Sequence, residues 1–181
     1  AAPAVGAWAS ALPLPDASVD AAMAVLTIHH WDEALDAGLR ELRRVARGPV
    51  VIVTYDAVVS GRMWLGRDYL PELTALDHAI FPSIDRLADA LGGTVEVQVV
   101  PTPRDTPDWT LGSFWAHPER VLDETARNAT SGLARMAPEV IDRLVADLER
   151  DLDDGTWDRR HGHLRELPEL DVGMRLLVAR P

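Results

Sequence analysis

The first half of the chain alternates between apolar runs and amphipathic spacing. Residues 19–28 are almost wholly apolar apart from Asp20, a pattern typical of a strand buried on both faces, although periodicity alone does not distinguish it from a buried helix. Leucine and valine then recur every three or four residues over 35–45, which predicts an amphipathic helix ending near Arg47, with Asp32 as its N-cap. The β-branched run 50–53 predicts a second strand. Together these segments predict a βαβ unit with parallel strands.

The second half is less regular. Residues 57–82 are predicted to be irregular, and Ser83 is predicted to cap a short helix that Gly92-Gly93 ends. Further elements are expected as a strand over 94–100, a partly helical stretch over 108–136, an amphipathic helix over 140–152 and a last strand over 171–179.

Composition narrows the class of protein. The chain has 181 residues, of which 47% are hydrophobic, as expected for one folded domain. Its formal net charge of −11 argues against a nucleic-acid partner, which needs a basic face. The absence of cysteine excludes disulfides and thiolate metal sites. No apolar stretch approaches the roughly 20 residues of a membrane span, and no signal peptide is visible, so we expect a cytoplasmic protein without membrane contact.

Candidate chemistry lies where the two predicted strands end. His29, His30 and Trp31 follow the first strand, and Tyr55 closes the second. Histidine, with an unperturbed pKa of about 6.5, can accept a proton at neutral pH. His30 is the first candidate for a general base and His29 the second. Adjacent residues on an extended strand point to opposite faces, so at most one of them is expected to enter a cleft. Alternatively, both histidines simply close the strand and bond to nearby backbone.

Metal binding is not expected. Adjacent histidines such as His29 and His30 rarely converge on one ion. His161-Gly162-His163 has better spacing for a metal but lacks an evident third ligand, which favours a solvated loop. The acidic run at 147–154 is interpreted as a solvated helix face.

At this point the sequence resembles a known family. LPLPDASVD, an apolar strand, HHW, a helix ending LRRVARG and a β-branched strand are similar to the second half of class I S-adenosylmethionine-dependent methyltransferases, of the small-molecule type that includes ubiquinone and menaquinone pathway enzymes. PDWTLGSFWAHPERVL resembles a cap segment of one subgroup. The resemblance implies an α/β, Rossmann-like fold. Its sheet would be mostly parallel, with a C-terminal antiparallel hairpin and a helical cap insertion.

The resemblance also implies a single partial domain over 1–181. Its core would comprise 1–56, 83–103 and 168–181, and its cap 57–82 and 104–167. The family's N-terminal strand-helix units, with their glycine-rich cofactor loop, are expected to be missing. By resemblance, Trp8 and Ala9 would lie at the adenine of S-adenosylmethionine, and Val25 and Leu26 along its methionine part. Trp8 stands near the position where the family often has an acidic residue, and an indole can stack on adenine but cannot accept its hydrogen bond.

Aromatic side chains are the candidates for binding a small-molecule acceptor, although packing within the cap is the competing interpretation. The candidate acceptor-binding residues are Trp31, Tyr55, Trp64 and Trp115, and the wider aromatic set of the cap adds Tyr69, Trp109 and Phe114.

The predicted function is methyl transfer from S-adenosylmethionine to a small molecule. The alternative is a catalytically silent, methyltransferase-like binding or assembly module. A serine hydrolase is disfavoured, because the sequence has no G-x-S-x-G motif. If this is the whole polypeptide, an uncovered sheet favours a homo-oligomer.

Overall fold

The computed structural model describes residues 4–107 and 110–181, so that Trp109 lies outside the described residues. The chain divides into two compact units. The first comprises Ala1–Asp56, Ile80–Val99 and Arg175–Pro181, and the second comprises Ala57–Ala79 and Val100–Met174.

The elements follow one another along the chain with short connections. The strands are β1 Ala22–Val25, β2 Val50–Tyr55, β3 Thr94–Val99, β4 Thr102–Pro103, β5 Glu169–Leu170 and β6 Met174–Arg180. The α-helices are α1 Leu35–Val45, α2 Ala57–Ser60, α3 Pro71–Ile80, α4 Ile84–Leu91, α5 Glu119–Leu122, α6 Glu124–Asn128, α7 Ser131–Ala134, α8 Pro138–Asp153 and α9 Thr156–His161. The 3-10 turns are Ile28–His30, Asp32–Ala34, Leu111–Ala116 and Gly162–Glu166, and Leu65–Tyr69 forms a π-helical turn.

The first unit is built on a four-stranded sheet in the order β1-β2-β6-β3. The predicted parallel pairing of the first two strands is confirmed, with Ala22 opposite Val50 and Val25 opposite Val53. The predicted antiparallel pairing of the last strand with the strand near residue 94 is also confirmed, because Thr94 lies opposite Arg180. The unit is therefore α/β. Its registers give one parallel and one antiparallel pair, so the described sheet is mixed and not mostly parallel.

The first strand is shorter and less buried than predicted. It spans Ala22–Val25 in place of 19–28. Ala24 is buried, whereas Met23 and Val25 are 67% and 47% exposed. The prediction of burial on both faces is therefore wrong for this structure. Side chains alternate across a strand, and among the described residues only the face carrying Ala24 is packed.

Two helices cover that packed face. Leu35, Leu39 and Leu42 of α1 and Leu87 of α4 join Ile52 and its neighbours in one buried cluster. Helix α4 begins as predicted, since the Ser83 hydroxyl accepts a hydrogen bond from the Arg86 N–H at 3.3 Å. Helix α1 does not begin at Asp32. That residue has a φ of +44° and starts a 3-10 turn, so α1 begins three residues later without a side-chain cap.

The proline-rich turn before β1 is tied to helix α1 by one arginine. Arg44 donates to the Leu14 carbonyl at 2.8 Å and to both carboxylate oxygens of Glu41. Glu41 also accepts a hydrogen bond from the Leu12 N–H at 2.8 Å. Hydrogen bonding from Arg44 and then from Leu12 holds the pKa of Glu41 at about 2. The turn therefore has a defined position even though its sequence predicts no regular element.

The second unit is mainly helical. The predicted amphipathic helix over 140–152 is confirmed as α8, whose Leu144 and Leu148 are fully buried. Residues 57–82, predicted to be irregular, instead contain α2, the π-helical turn and α3. The small sheet of β4 and β5 was not predicted, because two-residue strands leave almost no pattern. Among the described residues, no helix combines the length and the apolar character needed to cross a bilayer.

Candidate functional site

The carboxyl ends of β1 and β2 lie side by side in the first unit. Val25 is in register with Val53, and the Leu26 N–H donates to the Val53 carbonyl at 2.9 Å. Since parallel strands bring their carboxyl ends to one edge of a sheet, the residues after Val25 and after Val53 emerge at the same edge. Ligands of open α/β sheets bind at this edge.

The chain turns sharply where β1 ends. Leu26 has a φ of +47°, a conformation that costs a leucine roughly 1–3 kcal/mol and that clusters at functional sites. Ile28–His30 then form one 3-10 turn, with Ile28 buried. The prediction that the histidines lie on an extended strand, facing opposite sides, is therefore wrong. Their ring centroids are only 3.9 Å apart. The turn places both imidazoles together at the sheet edge.

Phe81 connects the two strand ends. Its ring centroid lies 4.5 Å from that of His29 and 5.9 Å from that of Tyr55, the latter in an edge-to-face arrangement. The side chains of His29, His30, Phe81 and Tyr55 thus form a continuous aromatic rim, and we use "aromatic rim" for these four residues. His30 is exposed and His29 is half-buried, so the imidazole of His30 is the more accessible to a substrate. The sequence predicts His29, His30 and Tyr55 as site residues but not Phe81. No local pattern distinguishes Phe81 from an aromatic residue that only packs in the core.

A charged pair accompanies the end of β2. Arg175 on β6 is buried, and its guanidinium lies 4.0 Å from the carboxylate of Asp56. A buried guanidinium needs a nearby carboxylate to offset the cost of leaving water, and Asp56 supplies one. No local sequence pattern indicates this pair, because 119 residues separate its members.

The four predicted cofactor-contacting residues all belong to the first unit. Trp8 is 81% exposed and closes a small turn with Ala11, while Ala9 is half-buried. Val25 and Leu26 lie at the end of β1, with Val25 exposed. Trp8 and Val25 are among the most exposed large apolar side chains of the described chain, so both are accessible to the apolar parts of a ligand. Their assignment to the cofactor stays a prediction.

Trp31 lies against a helix. A Cβ added to Gly38 of α1 would approach the Trp31 ring to 2.6 Å, so the glycine makes room for the indole. Trp31 also packs against the buried cluster of the first unit. This packing explains its partial burial without any ligand. The contact of Trp31 with an acceptor stays a prediction.

Trp64 and Trp115 belong to the second unit. Both are buried, and the Trp64 indole N–H donates to the Trp115 carbonyl at 2.9 Å. The Trp64 ring meets Tyr69 and Trp157 edge to face, with centroids 5.7 and 5.5 Å apart. Packing within the unit accounts for these contacts, while Trp64 also reaches the wall of a cavity.

His161 is buried and does not lie in a solvated loop as predicted. It ends helix α9, stacks against Trp64 and places its Nε2 2.9 Å from the carboxylate of Asp68. Burial lowers the pKa of His161, and the attraction of Asp68 only partly opposes that effect. Sequence spacing could not reveal this burial, because the partners come from residues far away along the chain. Within 4–107 and 110–181, no three histidine, aspartate or glutamate side chains are grouped closely enough to hold a metal ion.

A family profile and a solved structure agree on the kind of protein that this chain resembles. The sequence profile of a family described as methyltransferase domain matches residues 3–53, which include β1, α1 and the start of β2. A solved structure from Anabaena variabilis ATCC 29413, described as a methyltransferase from an antibiotic biosynthesis pathway, is similar over 97% of this chain and 72% of its own, with 30% identity and a TM-score of 0.88. A search of curated proteins finds no match.

Proposed function

Because this chain belongs to the methyltransferase-domain family, we propose that it transfers a methyl group from S-adenosylmethionine to a small-molecule acceptor. The neighbour's description as an antibiotic-pathway methyltransferase supports a small-molecule acceptor. Neither comparison bears on the ubiquinone and menaquinone type, which stays a prediction. Nor does either favour the alternative of a silent binding module.

One observation carries the proposal: the parallel ends of β1 and β2 bring His29 and Tyr55 to the same Phe81 ring. This edge of an α/β sheet is where ligands bind. The strained backbone at Leu26 is what turns the chain so that the histidines lie at the edge. Backbone strain of this kind, which costs leucine roughly 1–3 kcal/mol, clusters at functional sites.

The residues present fit an adenosyl sulfonium. Exposed Trp8 offers an apolar face on which adenine can stack, and exposed Val25 offers a surface for the aliphatic methionine chain. When bound, S-adenosylmethionine supplies the electrophilic methyl group. The protein's part is to align the acceptor for an in-line displacement and to exclude water, and positioning alone contributes about 7–11 kcal/mol in favourable cases.

His30 would act on the acceptor. An acceptor hydroxyl or ammonium group must lose a proton as it gains the methyl group, and an exposed imidazole at the aromatic rim can take that proton. His29, with its ring centroid 3.9 Å from that of His30, would hold the His30 ring in place by contact. Tyr55, whose ring meets Phe81 edge to face, would orient the acceptor from the end of β2.

The test is a transfer assay with methyl-labelled S-adenosylmethionine and a panel of phenols, carboxylic acids and amines. We expect S-adenosylhomocysteine to form with at least one acceptor. His30→Gln should lower kcat by about 10²–10⁴-fold and remove the rise in rate with pH that a general base produces.

Two matched variants separate the base from its surroundings. His78→Gln, which replaces an exposed histidine of the second unit, should leave the rate unchanged. His29→Gln should reduce the rate while keeping its pH dependence. An unchanged rate for His30→Gln between pH 6 and 9 would remove the base from the mechanism. Failure to form S-adenosylhomocysteine with every acceptor, although the cofactor binds, would contradict the proposed function.

A further inference from the structure

The second unit contains a cavity of about 770 Å³. One wall comes from the segment that includes the π-helical turn, and the other comes from the end of α9 and the residues up to Val172. Its apolar lining includes Val59, Met63, Trp64 and Leu164. Cavities of 300–1,000 Å³ with an apolar lining and a few polar groups are typical small-molecule sites.

Positive charge is concentrated on this lining. Three arginines line the cavity, namely Arg62, Arg67 and Arg160, against two carboxylates, Asp68 and Asp171. The chain as a whole has 29 acidic and 18 basic residues, so an excess of arginine at one cavity runs against its overall charge. This contrast makes the cavity a place where an anion would be attracted to an otherwise acidic protein.

The carboxylates of the cavity already have partners. Asp68 accepts two hydrogen bonds from Arg67, at 2.7 and 2.8 Å, and lies 2.9 Å from His161. Asp171 accepts a hydrogen bond from the Gly173 N–H at 2.9 Å. Arg67 is thus neutralised by its neighbour, and Asp171 is partly satisfied by backbone.

Arg62 and Arg160 are the two other arginines of the cavity lining. Among residues 4–107 and 110–181, neither guanidinium has a carboxylate within ion-pair distance. His161 does not add to the positive charge at neutral pH, because burial lowers its pKa. With the charge of Asp171 subtracted, the lining keeps a net charge of +1 from Arg62 and Arg160, whose planar forks match carboxylate and phosphate oxygens.

We propose that this cavity binds an amphipathic organic anion. Its carboxylate or phosphate group would pair with Arg62 and Arg160, and its apolar body would lie against Met63, Trp64 and Leu164. The binding site does not depend on methyl transfer.

The test uses three probes of similar size: phenylacetate, phenyl phosphate and neutral phenylacetamide. Each is titrated into the protein and followed by ligand-observed NMR. We expect at least one anion to bind about tenfold more tightly than the amide, because hydrogen bonds to charged groups are the stronger ones. The tighter of the two anions identifies the head group.

Variants locate the site. Arg62→Gln and Arg160→Gln should each weaken binding of the preferred anion about tenfold, because each removes a charged hydrogen-bond donor to the anion. Arg135→Gln, which removes an exposed arginine of the same unit outside the cavity, is the matched control and should not change binding.

Three results would overturn the proposal: equal binding of amide and anions, no binding of either anion at millimolar concentration, or unchanged anion binding in both cavity variants. Anion binding without S-adenosylmethionine binding would keep this site and contradict the proposed function. Binding of S-adenosylmethionine without binding of either anion would be consistent with the proposed function and would contradict the anion site.

Discussion

Replacing Trp64 by alanine is expected to lower the free energy of unfolding by about 3–5 kcal/mol. Trp64 is 2% exposed and lies in the core of the second unit, where its ring contacts Tyr69 and Trp157 edge to face. The substitution removes these contacts and leaves a large cavity. It also removes the indole N–H that donates to the Trp115 carbonyl at 2.9 Å, so a buried acceptor loses its partner. Urea denaturation followed by circular dichroism measures the change.

Two controls make this prediction specific. Trp8→Ala removes the same side chain from a position that is 81% exposed, and should change stability by less than about 0.5 kcal/mol. Trp64→Phe keeps most of the apolar contact but not the N–H, and should lie between the wild type and Trp64→Ala. A loss below about 1 kcal/mol for Trp64→Ala would show that the second unit does not have the packing described here.

Asp77→Asn is expected to stabilise the protein at neutral pH and to have little effect at pH 4. Asp77 lies on α3 and is 9% exposed. Burial raises the pKa of its carboxyl group from 3.8 to about 6, against smaller opposing effects of His78 and Ser60. At neutral pH the folded protein therefore holds a desolvated carboxylate.

Proton linkage explains why Asp77→Asn should stabilise the protein at neutral pH. The folded state binds the Asp77 proton more tightly than the unfolded state does. The stabilisation from protonated Asp77 is therefore complete below pH 4 and is lost as the pH rises through about 6. A shift of roughly two pKa units corresponds to about 3 kcal/mol. The stability of the wild type should thus fall by about that amount relative to Asp77→Asn between pH 4 and pH 7.

Urea denaturation of both proteins across this pH range measures the difference. Asp153→Asn, which removes an exposed carboxylate of the same unit, controls for the change in net charge. A constant difference in stability between wild type and Asp77→Asn from pH 4 to pH 7 would show that the Asp77 carboxyl group is not desolvated in the folded protein.

Local sequence patterns predict the helices and strands in which buried residues recur at regular spacing. The run 50–53, the spacing in α1 and α8, and the Ser83 cap are visible in the sequence because each depends on residues a few positions apart. The meeting of His29 and Tyr55 was predictable for a topological reason, since two parallel neighbouring strands must end at one edge.

The remaining features depend on contacts between distant residues. The positive φ of Leu26 follows from how the chain leaves the sheet, and leucine itself gives no sign of it. His161 is buried by Trp64 and Asp68, which precede it by more than 90 residues. The cation-rich cavity likewise combines segments around residues 62 and 160, and only the folded unit brings them together.

The most direct test of the central claim is a calorimetric titration of S-adenosylmethionine into the polypeptide that the gene encodes. We expect one molecule to bind per chain with a Kd on the order of 10 µM, within the usual range for enzyme substrates. Replacing Trp8 by alanine should weaken binding about tenfold, because base stacking on an aromatic side chain is worth about 1–3 kcal/mol. No binding at about 1 mM cofactor, with the protein folded, would contradict the account.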